Sequence, residues 1–314
     1  MRTMLLTVCA FLMLTIMFAH INNHNAYNLD IYEDSRVYQL LKAVVDEDKD
    51  AICREVSSDR NLLNYYDSIC RCTPLNFAIS HDCFKSAEEL IRLGADVDGE
   101  DYDGYTPLFS ALIGNVNNRI PDVKYLNLLI NSGVNVNKCF ISTSHNKNYE
   151  LEDEDSPLIQ AVKNDDLNVV KLLLNSGCDV NYKGKMSRKS AAITALEQYN
   201  FTIAHLLIVV YHADICEPYF CYKPDLGVVD TTKSYKPVEL LFNLIPQTGT
   251  KEYNLKQEIV NELYSQGIDY YNEKCSYFEN AIEGRSPRFH NSTNILNQIK
   301  KVYGSAWREY FDKY

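Results

Sequence analysis

The sequence is short of positive charge. It has 31 Lys and Arg residues against 42 Asp and Glu residues, which gives a formal net charge of −11. Phosphate backbones repel a chain with this balance, so the composition argues against nucleic-acid binding. The same balance favours a basic protein partner, although excess acid is also a common route to solubility. Because 46% of the residues are hydrophobic, the chain can still bury a core.

The motifs of common catalytic sites are also missing. Neither G-x-S-x-G nor H-E-x-x-H occurs in the chain. The segment from Gly177 to Lys185 has the wrong spacing for a phosphate-binding loop, and Met186 stands where Ser or Thr would bind magnesium. We therefore predict a non-enzymatic chain with no catalytic residue and no cofactor. The enzyme alternative is an activity linked to the divergent region after Glu217.

The cysteine spacing does not predict a metal site. Cys70 and Cys72 form C-x-C, and Cys216 and Cys221 form C-x4-C, without a second pair at the distance that zinc sites require. The acidic run at residues 150–155 lacks the Gly-turned loop of a calcium site. We predict no bound metal. In an exported chain disulfides can form, and the spacing favours a local bridge between Cys216 and Cys221.

The first residues have the pattern of an export signal. Arg2 precedes a 16-residue apolar run at residues 4–19, which is shorter than the roughly 20 residues that span a bilayer. We predict a signal peptide at residues 1–19, a linker at residues 20–34 and a periplasmic or secreted mature protein. Met17 is large for a residue just before a cleavage site, so the alternative is a retained signal anchor that tethers a scaffold to the membrane.

A helical hairpin is predicted between Ser156 and Gly177. The Ser156 hydroxyl can cap a helix N-terminus, and Pro157 suits the first helical position because no N–H is needed there. Two apolar stripes follow with a polar turn between them, and Gly177 supplies a left-handed cap. Each helix is too short to be stable alone, so such units must stack on one another. The stripes consist of Leu158, Ala161 and Val162, and then of Leu167, Val170, Leu173 and Leu174.

The same signals recur along the chain. Thr73-Pro74-Leu75 and Thr106-Pro107-Leu108 lie 33 residues apart, and each is followed by an Ala, a Leu-rich segment and a Gly. A weaker copy has Ser190-Ala191 in the Thr-Pro position, with His212 in place of the Gly. These motifs resemble those of ankyrin repeats, whose 33-residue unit is a β-turn and two helices. The resemblance implies an all-α ankyrin-repeat solenoid of stacked helix–turn–helix units with short hairpin turns.

The resemblance also predicts how the chain is divided. Ankyrin repeats with an N-terminal cap are expected at residues 35–216, and the cap is a helix pair at residues 36–59. Residues 217–234 form a long connection, and residues 235–314 form divergent ankyrin-like repeats with a C-terminal cap. An insertion at residues 140–155 precedes the unit that begins at Ser156. In repeat solenoids such insertions lie in loops on one face, which is often the binding face.

Protein–protein interaction, through the concave face and the tips of the hairpin turns, is the function that the resemblance implies. Turn geometry alone accounts for Asp96, Asp98, Asp179 and Asn181. It does not account for the tyrosines nearby, and Tyr supplies rigid contact area while acid steers a basic partner. The predicted partner-binding residues are Glu100, Asp101, Tyr102, Asp103, Tyr105, Tyr149, Glu150, Glu152, Asp153 and Tyr182.

The chain resembles exported ankyrin-repeat proteins of bacteria, some of which look like periplasmic immunity proteins that occlude a toxin. This resemblance implies a monomeric immunity or inhibitor protein that binds a protein and no nucleic acid. Contact with a membrane is expected only if the N-terminal segment is retained. Poxviral ankyrin host-interaction proteins, which also have Asn- and Tyr-rich repeats, are an alternative. The absence of an F-box-like segment at the C-terminus weakens that alternative.

Overall fold

A computed structural model describes residues 29–66, 71–114, 120–140, 155–223 and 228–274, apart from 243, 245 and 248, and also residue 277. The predicted signal peptide, the interior of the insertion and the predicted C-terminal cap lie outside the described residues. In the described ranges, no helix combines the length and the apolar character that a membrane span requires. The chain divides into two compact units, one of Met1–Asn164 with Asn168–Cys178 and the other of Asp165–Leu167 with Asp179–Tyr314.

Consecutive helix pairs form the first unit, as the repeated sequence motifs predict. Helices α1 and α2 lie in the range of the predicted N-terminal cap, and short 3-10 turns lie at Leu29–Tyr32 and Arg60–Asn64. The helices are α1 (Tyr38–Val45), α2 (Lys49–Ser58), α3 (Pro74–Ser80), α4 (Phe84–Leu93), α5 (Pro107–Ile113) and α6 (Val123–Asn131), followed along the chain by α7 (Pro157–Lys163) and α8 (Leu167–Asn175).

In three repeats the first helix begins at a Thr-Pro or Ser-Pro pair. A hydroxyl oxygen accepts the backbone N–H three residues later, which satisfies one amide that the helix itself leaves without a partner. The following proline occupies the first turn, where a missing N–H does no harm. These caps join Thr73 to Asn76, Thr106 to Phe109 and Ser156 to Ile159.

In the first unit, the core lies along the first helix of each helix pair. Helix α3 contacts both α1 and α5, and α5 in turn contacts α7, while α2 contacts α4. All seven residues of α3 are buried. Helix α4 buries only a stripe that includes Ala87 and Leu90. The first helices are therefore interior elements, and the second helices are amphipathic elements with one apolar face.

Left-handed residues end the second helices. The predicted glycine positions are confirmed, with φ values of +98°, +83° and +90° at Gly94, Gly133 and Gly177. His212 occupies this position in the weaker repeat, at φ +53°. That repeat has α10 (Phe201–His205) followed by a π-helical turn at Leu206–Val210. The wider turn precedes the one described repeat end where a side chain takes the place of glycine.

The described residues of the second unit include two helix pairs, α9 (Ala191–Glu197) with α10, and α11 (Val238–Phe242) with α12 (Lys251–Ser265). Helix α9 contacts α11, and α10 contacts α12. Side chains of α12 and its C-terminal end also join the two pairs. Glu258 Oε2 lies 2.6 Å from His205 Nε2, Glu262 Oε1 lies 3.0 Å from His212 Nδ1, and Gln266 Nε2 donates to the carbonyl of Ala213 at 3.0 Å.

A β-hairpin occupies most of the predicted long connection, so the all-α prediction is incomplete. Strand β1 (Tyr219–Lys223) pairs antiparallel with β2 (Val228–Tyr235). The register shifts between Phe220, which pairs with Ser234, and Cys221, which pairs with Asp230. The sequence of both strands is rich in aromatic and β-branched residues, which fit a pleated and half-buried surface.

Candidate protein-binding site

Asp and Asn side chains join the turns that follow the glycine positions. Within one turn the N–H of Asp98 donates to Asp96 Oδ1 at 2.9 Å, and Asp98 Oδ1 accepts the N–H of Asn135 in the next turn at 2.8 Å. In the second unit Asn181 Oδ1 accepts the N–H of Asp214 at 2.8 Å. These bonds match the prediction that turn geometry accounts for Asp98 and Asn181. Such residues build the turns and connect them to one another.

Asp101 lies inside its turn, which differs from the predicted surface position. Only 5% of the residue is exposed, and its Oδ1 accepts the N–H groups of Asp103 at 3.0 Å and Tyr105 at 2.8 Å. The carboxylate therefore folds the turn that leads into Thr106, and little of it is exposed on the surface. Burial raises the pKa of Asp101 to about 7, and the hydrogen bond from the Tyr105 N–H opposes this shift.

Arg71 contacts two of the predicted partner-binding residues, Tyr102 and Asp103. The guanidinium carbon lies 4.8 Å from the centroid of the Tyr102 ring. Arg71 Nε donates to Asp103 Oδ2 at 3.0 Å, and a second guanidinium nitrogen donates to Asp103 Oδ1. A two-point ion pair and a stacked ring fix these side chains in one arrangement, which we call the Arg71 cluster. Tyr102 is 39% exposed, so the cluster presents an aromatic ring on the surface.

The acid at Glu100 is also paired. Glu100 Oε1 lies 2.9 Å from Lys138 Nζ, which in addition donates to the carbonyl of Asp98 at 2.6 Å. Asp103 is paired with Arg71 in the same way. Glu100 and Asp103 are thus balanced by cations from neighbouring turns. The turn presents less negative charge than the sequence predicts.

Tyr105 and Tyr182 are both half-buried. The centroids of the Tyr105 and Phe140 rings lie 4.5 Å apart, and the carbonyl of Tyr105 accepts a bond from Asn76 Nδ2 at 2.9 Å. The N–H of Phe140 donates to the carbonyl of Asp155 at 2.9 Å, across the base of the insertion. Tyr105 therefore packs against the base of the insertion. Tyr182 belongs to the second unit.

Four further predicted contact residues lie in the insertion, outside the described residues. They are Tyr149, Glu150, Glu152 and Asp153.

Sequence reasoning missed Arg71 and Lys138. Each of them pairs with an acid more than 30 positions away in the chain, at separations of 32 and 38 residues. No local motif connects such residues. The available signal is the repeat register, because the turns of consecutive repeats lie side by side and residues about one repeat apart then come into contact.

The structure does not join Cys216 and Cys221 in a disulfide. The Cys216 thiol contacts Gln266, with its sulfur 3.6 Å from the Gln266 carbonyl oxygen. Cys221 lies within β1 opposite Asp230. Within the described ranges, no group of three or more His, Cys, Asp or Glu residues could hold a metal ion.

A comparison with protein families matches residues 124–218 to ankyrin repeats, in three copies. The match runs from α6 to the residue before β1 and supports an ankyrin-repeat protein. It includes Lys138 and Tyr182, whereas the Arg71 cluster precedes it. No curated protein matches the chain.

Proposed function

We propose that the chain is a non-enzymatic protein-binding module and that the Arg71 cluster is part of its contact surface. Ankyrin repeats generally mediate protein–protein interaction, and three copies match this chain. The observation that carries the proposal is the exposed Tyr102 ring, which Arg71 holds in place from a neighbouring turn. A ring that is already fixed loses little conformational entropy on binding. The predicted solenoid, with its concave face and turn tips, is part of this proposal.

The proposed partner is a basic protein. The net charge of −11 supports this choice, because a strongly acidic chain attracts a basic partner over a long range. Glu100 and Asp103 are both paired internally. The attraction therefore comes from the charge of the whole chain, and the Arg71 cluster contributes shape and a rigid aromatic contact.

We also propose that binding takes place outside the cytoplasm. Arg2 and the apolar run at residues 4–19 support export. An exported module without chemistry of its own acts by covering its partner's surface, as an inhibitor or an immunity protein does. If the apolar run is retained, the same module is a membrane-anchored scaffold.

Replacement of Tyr102 tests the contact surface. The partner is first identified by crosslinking the full-length protein in its own cells, and its purified form is then titrated by calorimetry. Tyr102→Ala should lower the affinity by about tenfold or more, because truncating a fixed aromatic at an interface removes a large contact. The free energy of unfolding should change little, since the ring is partly exposed.

Tyr66 provides the matched control. It is an exposed tyrosine of the same unit, 45% accessible, and it lies outside the Arg71 cluster. Tyr66→Ala should leave the affinity unchanged. If Tyr102→Ala binds the purified partner as tightly as the unmodified chain does, the Arg71 cluster is not part of the contact surface.

A further inference from the structure

Two buried hydrogen-bond donors lie together in the second unit. Lys256 on α12 is 3% exposed, and Tyr270 is 1% exposed. The Nζ of Lys256 lies 5.8 Å from the centroid of the Tyr270 ring and donates to the carbonyl of Leu244 at 2.5 Å. The Tyr270 hydroxyl has no hydrogen-bond partner in the part of the chain that the structure describes. Both groups are thus buried with unused hydrogen-bonding capacity.

The unused donors can be counted. An ammonium group has three N–H donors and a phenol has one O–H donor. Leu244 uses one N–H of Lys256, so two N–H groups of Lys256 and the O–H of Tyr270 remain. Buried donors without partners destabilise a fold, and most native structures satisfy them with protein, water or an ion. This arrangement calls for an acceptor.

The charge around these donors decides which acceptor fits. The Nζ of Lys274, a residue that is 7% exposed, lies 5.7 Å from the centroid of the same Tyr270 ring. Burial, together with the positive charge of Lys274, lowers the pKa of Lys256 to about 7. Among the described carboxylates, none lies within ion-pair distance of Lys256, and Glu273 is paired with Lys236 at 2.8 Å. Water would satisfy the donors, but only an anion would also offset the charge.

We propose that Lys256 and Tyr270 form a buried site for a small monovalent anion, either a halide or a carboxylate. The anion accepts the free N–H groups of Lys256 and the O–H of Tyr270, and Lys274 adds to the positive potential. Lys256 lies on α12 and Tyr270 on the helical segment that follows Gly267. A bound anion thus links the two segments and stabilises the second unit. This site is independent of the proposed protein-binding surface.

The test is thermal unfolding of the full-length protein at pH 6 in sodium chloride, bromide, acetate or gluconate at equal ionic strength. Gluconate is the control, since it is too bulky for a buried site. The small anions should raise the unfolding temperature by about 2–4 °C over gluconate, because a ligand that binds only the folded state stabilises it. A shift with halides alone identifies an inorganic ion, and a shift with acetate as well identifies a site that also takes carboxylates. At pH 9 the Lys256 amine is neutral and the shift should disappear.

Two variants link the effect to these residues. Lys256→Met keeps the length of the side chain and removes the donors, so the difference between chloride and gluconate should vanish. Tyr270→Phe removes only the hydroxyl and should reduce that difference. Lys251→Met alters an exposed lysine of the same helix and should keep the full shift. Equal unfolding temperatures in all four salts, or a full shift in Lys256→Met, would overturn the proposal.

Discussion

At the scale of single residues, Asp101 has a role that its sequence neighbourhood hides. It stands among acids and tyrosines that look like an exposed patch. Its carboxylate instead accepts two backbone N–H groups inside the turn. An isolated buried carboxylate is unfavourable as an anion, and these two bonds only partly offset the loss of water. The residue should therefore make the stability of the fold depend on pH.

Asp101→Asn should remove this pH dependence. The folded pKa of Asp101, about 7, lies above the value near 3.9 of an unfolded chain. The folded state thus binds more protons between these values, and stability that is fully present below about pH 4 is lost as the pH rises through 7. Asn keeps an oxygen acceptor without the charge. Above pH 7, the free energy of unfolding of the Asp101→Asn variant should exceed that of the unmodified chain by up to about 4 kcal/mol.

Urea unfolding at pH 5 and pH 8 provides the measurement for this prediction. Asp101→Ala is the control, because it leaves the N–H groups of Asp103 and Tyr105 without an acceptor and should destabilise the fold at both pH values. A pH dependence in Asp101→Asn as steep as that of the unmodified chain would assign the titration to another group.

At the scale of elements, four of the turns inside the described helix pairs contain a left-handed residue that is not glycine. Three of these residues are acids that bond to the following pair. Glu47 accepts the N–H of Lys85, Asp82 pairs with Lys124, and Asp165 accepts the side-chain N–H of Asn200. Their φ values are +50°, +59° and +57°. Each contact offsets part of the cost of the strained backbone.

Tyr199 is the exception in this series, and its replacement by Asn should stabilise the second unit. Tyr199 has a φ of +61° and is 67% exposed. A bulky residue in the left-handed region is a conformational outlier, whereas Asn adopts it more readily. Tyr199→Asn should raise the free energy of unfolding by about 1 kcal/mol, measured as a higher urea midpoint. Tyr199→Phe keeps the Cβ and the ring and should change nothing. A lower midpoint for Asn would show that the tyrosine ring contributes to packing.

The elements also show how far sequence could predict this fold. Thr73, Thr106 and Ser156 cap their helices as expected, because a cap depends on only four consecutive residues. The sequence does not predict the β-hairpin, because its aromatic segment resembles only a long connection between repeats. The Arg71 cluster could not be predicted either. Its contacts depend on how the turns of neighbouring repeats align, and no local motif records that alignment.

At the scale of the whole molecule, the proposed export depends on the N-terminal segment. Residues 1–19 contain a single charge, Arg2. Their removal would change the net charge from −11 to −12, because one positive charge leaves with them. The mature chain would then be slightly more attractive to a basic partner.

Intact-mass measurement of the protein from its own cells tests export. We expect a chain that has lost residues 1–19 and begins at His20. Ala19→Leu is the control, because a large residue next to the cleavage site should block processing and leave the precursor. Recovery of the unmodified protein with Met1 still in place, in the membrane fraction, would replace the exported form with the anchored scaffold.

The burial of helix α3 also limits how this sequence can change during evolution. None of its seven residues faces water, so every substitution there alters packing or leaves a polar group buried. Helix α4 buries only part of its surface and can vary freely elsewhere. A saturation-mutagenesis map of the chain should thus show short segments that tolerate few substitutions at each Thr-Pro motif. The stretches between these segments should tolerate many. Distant relatives would then share little sequence beyond those motifs.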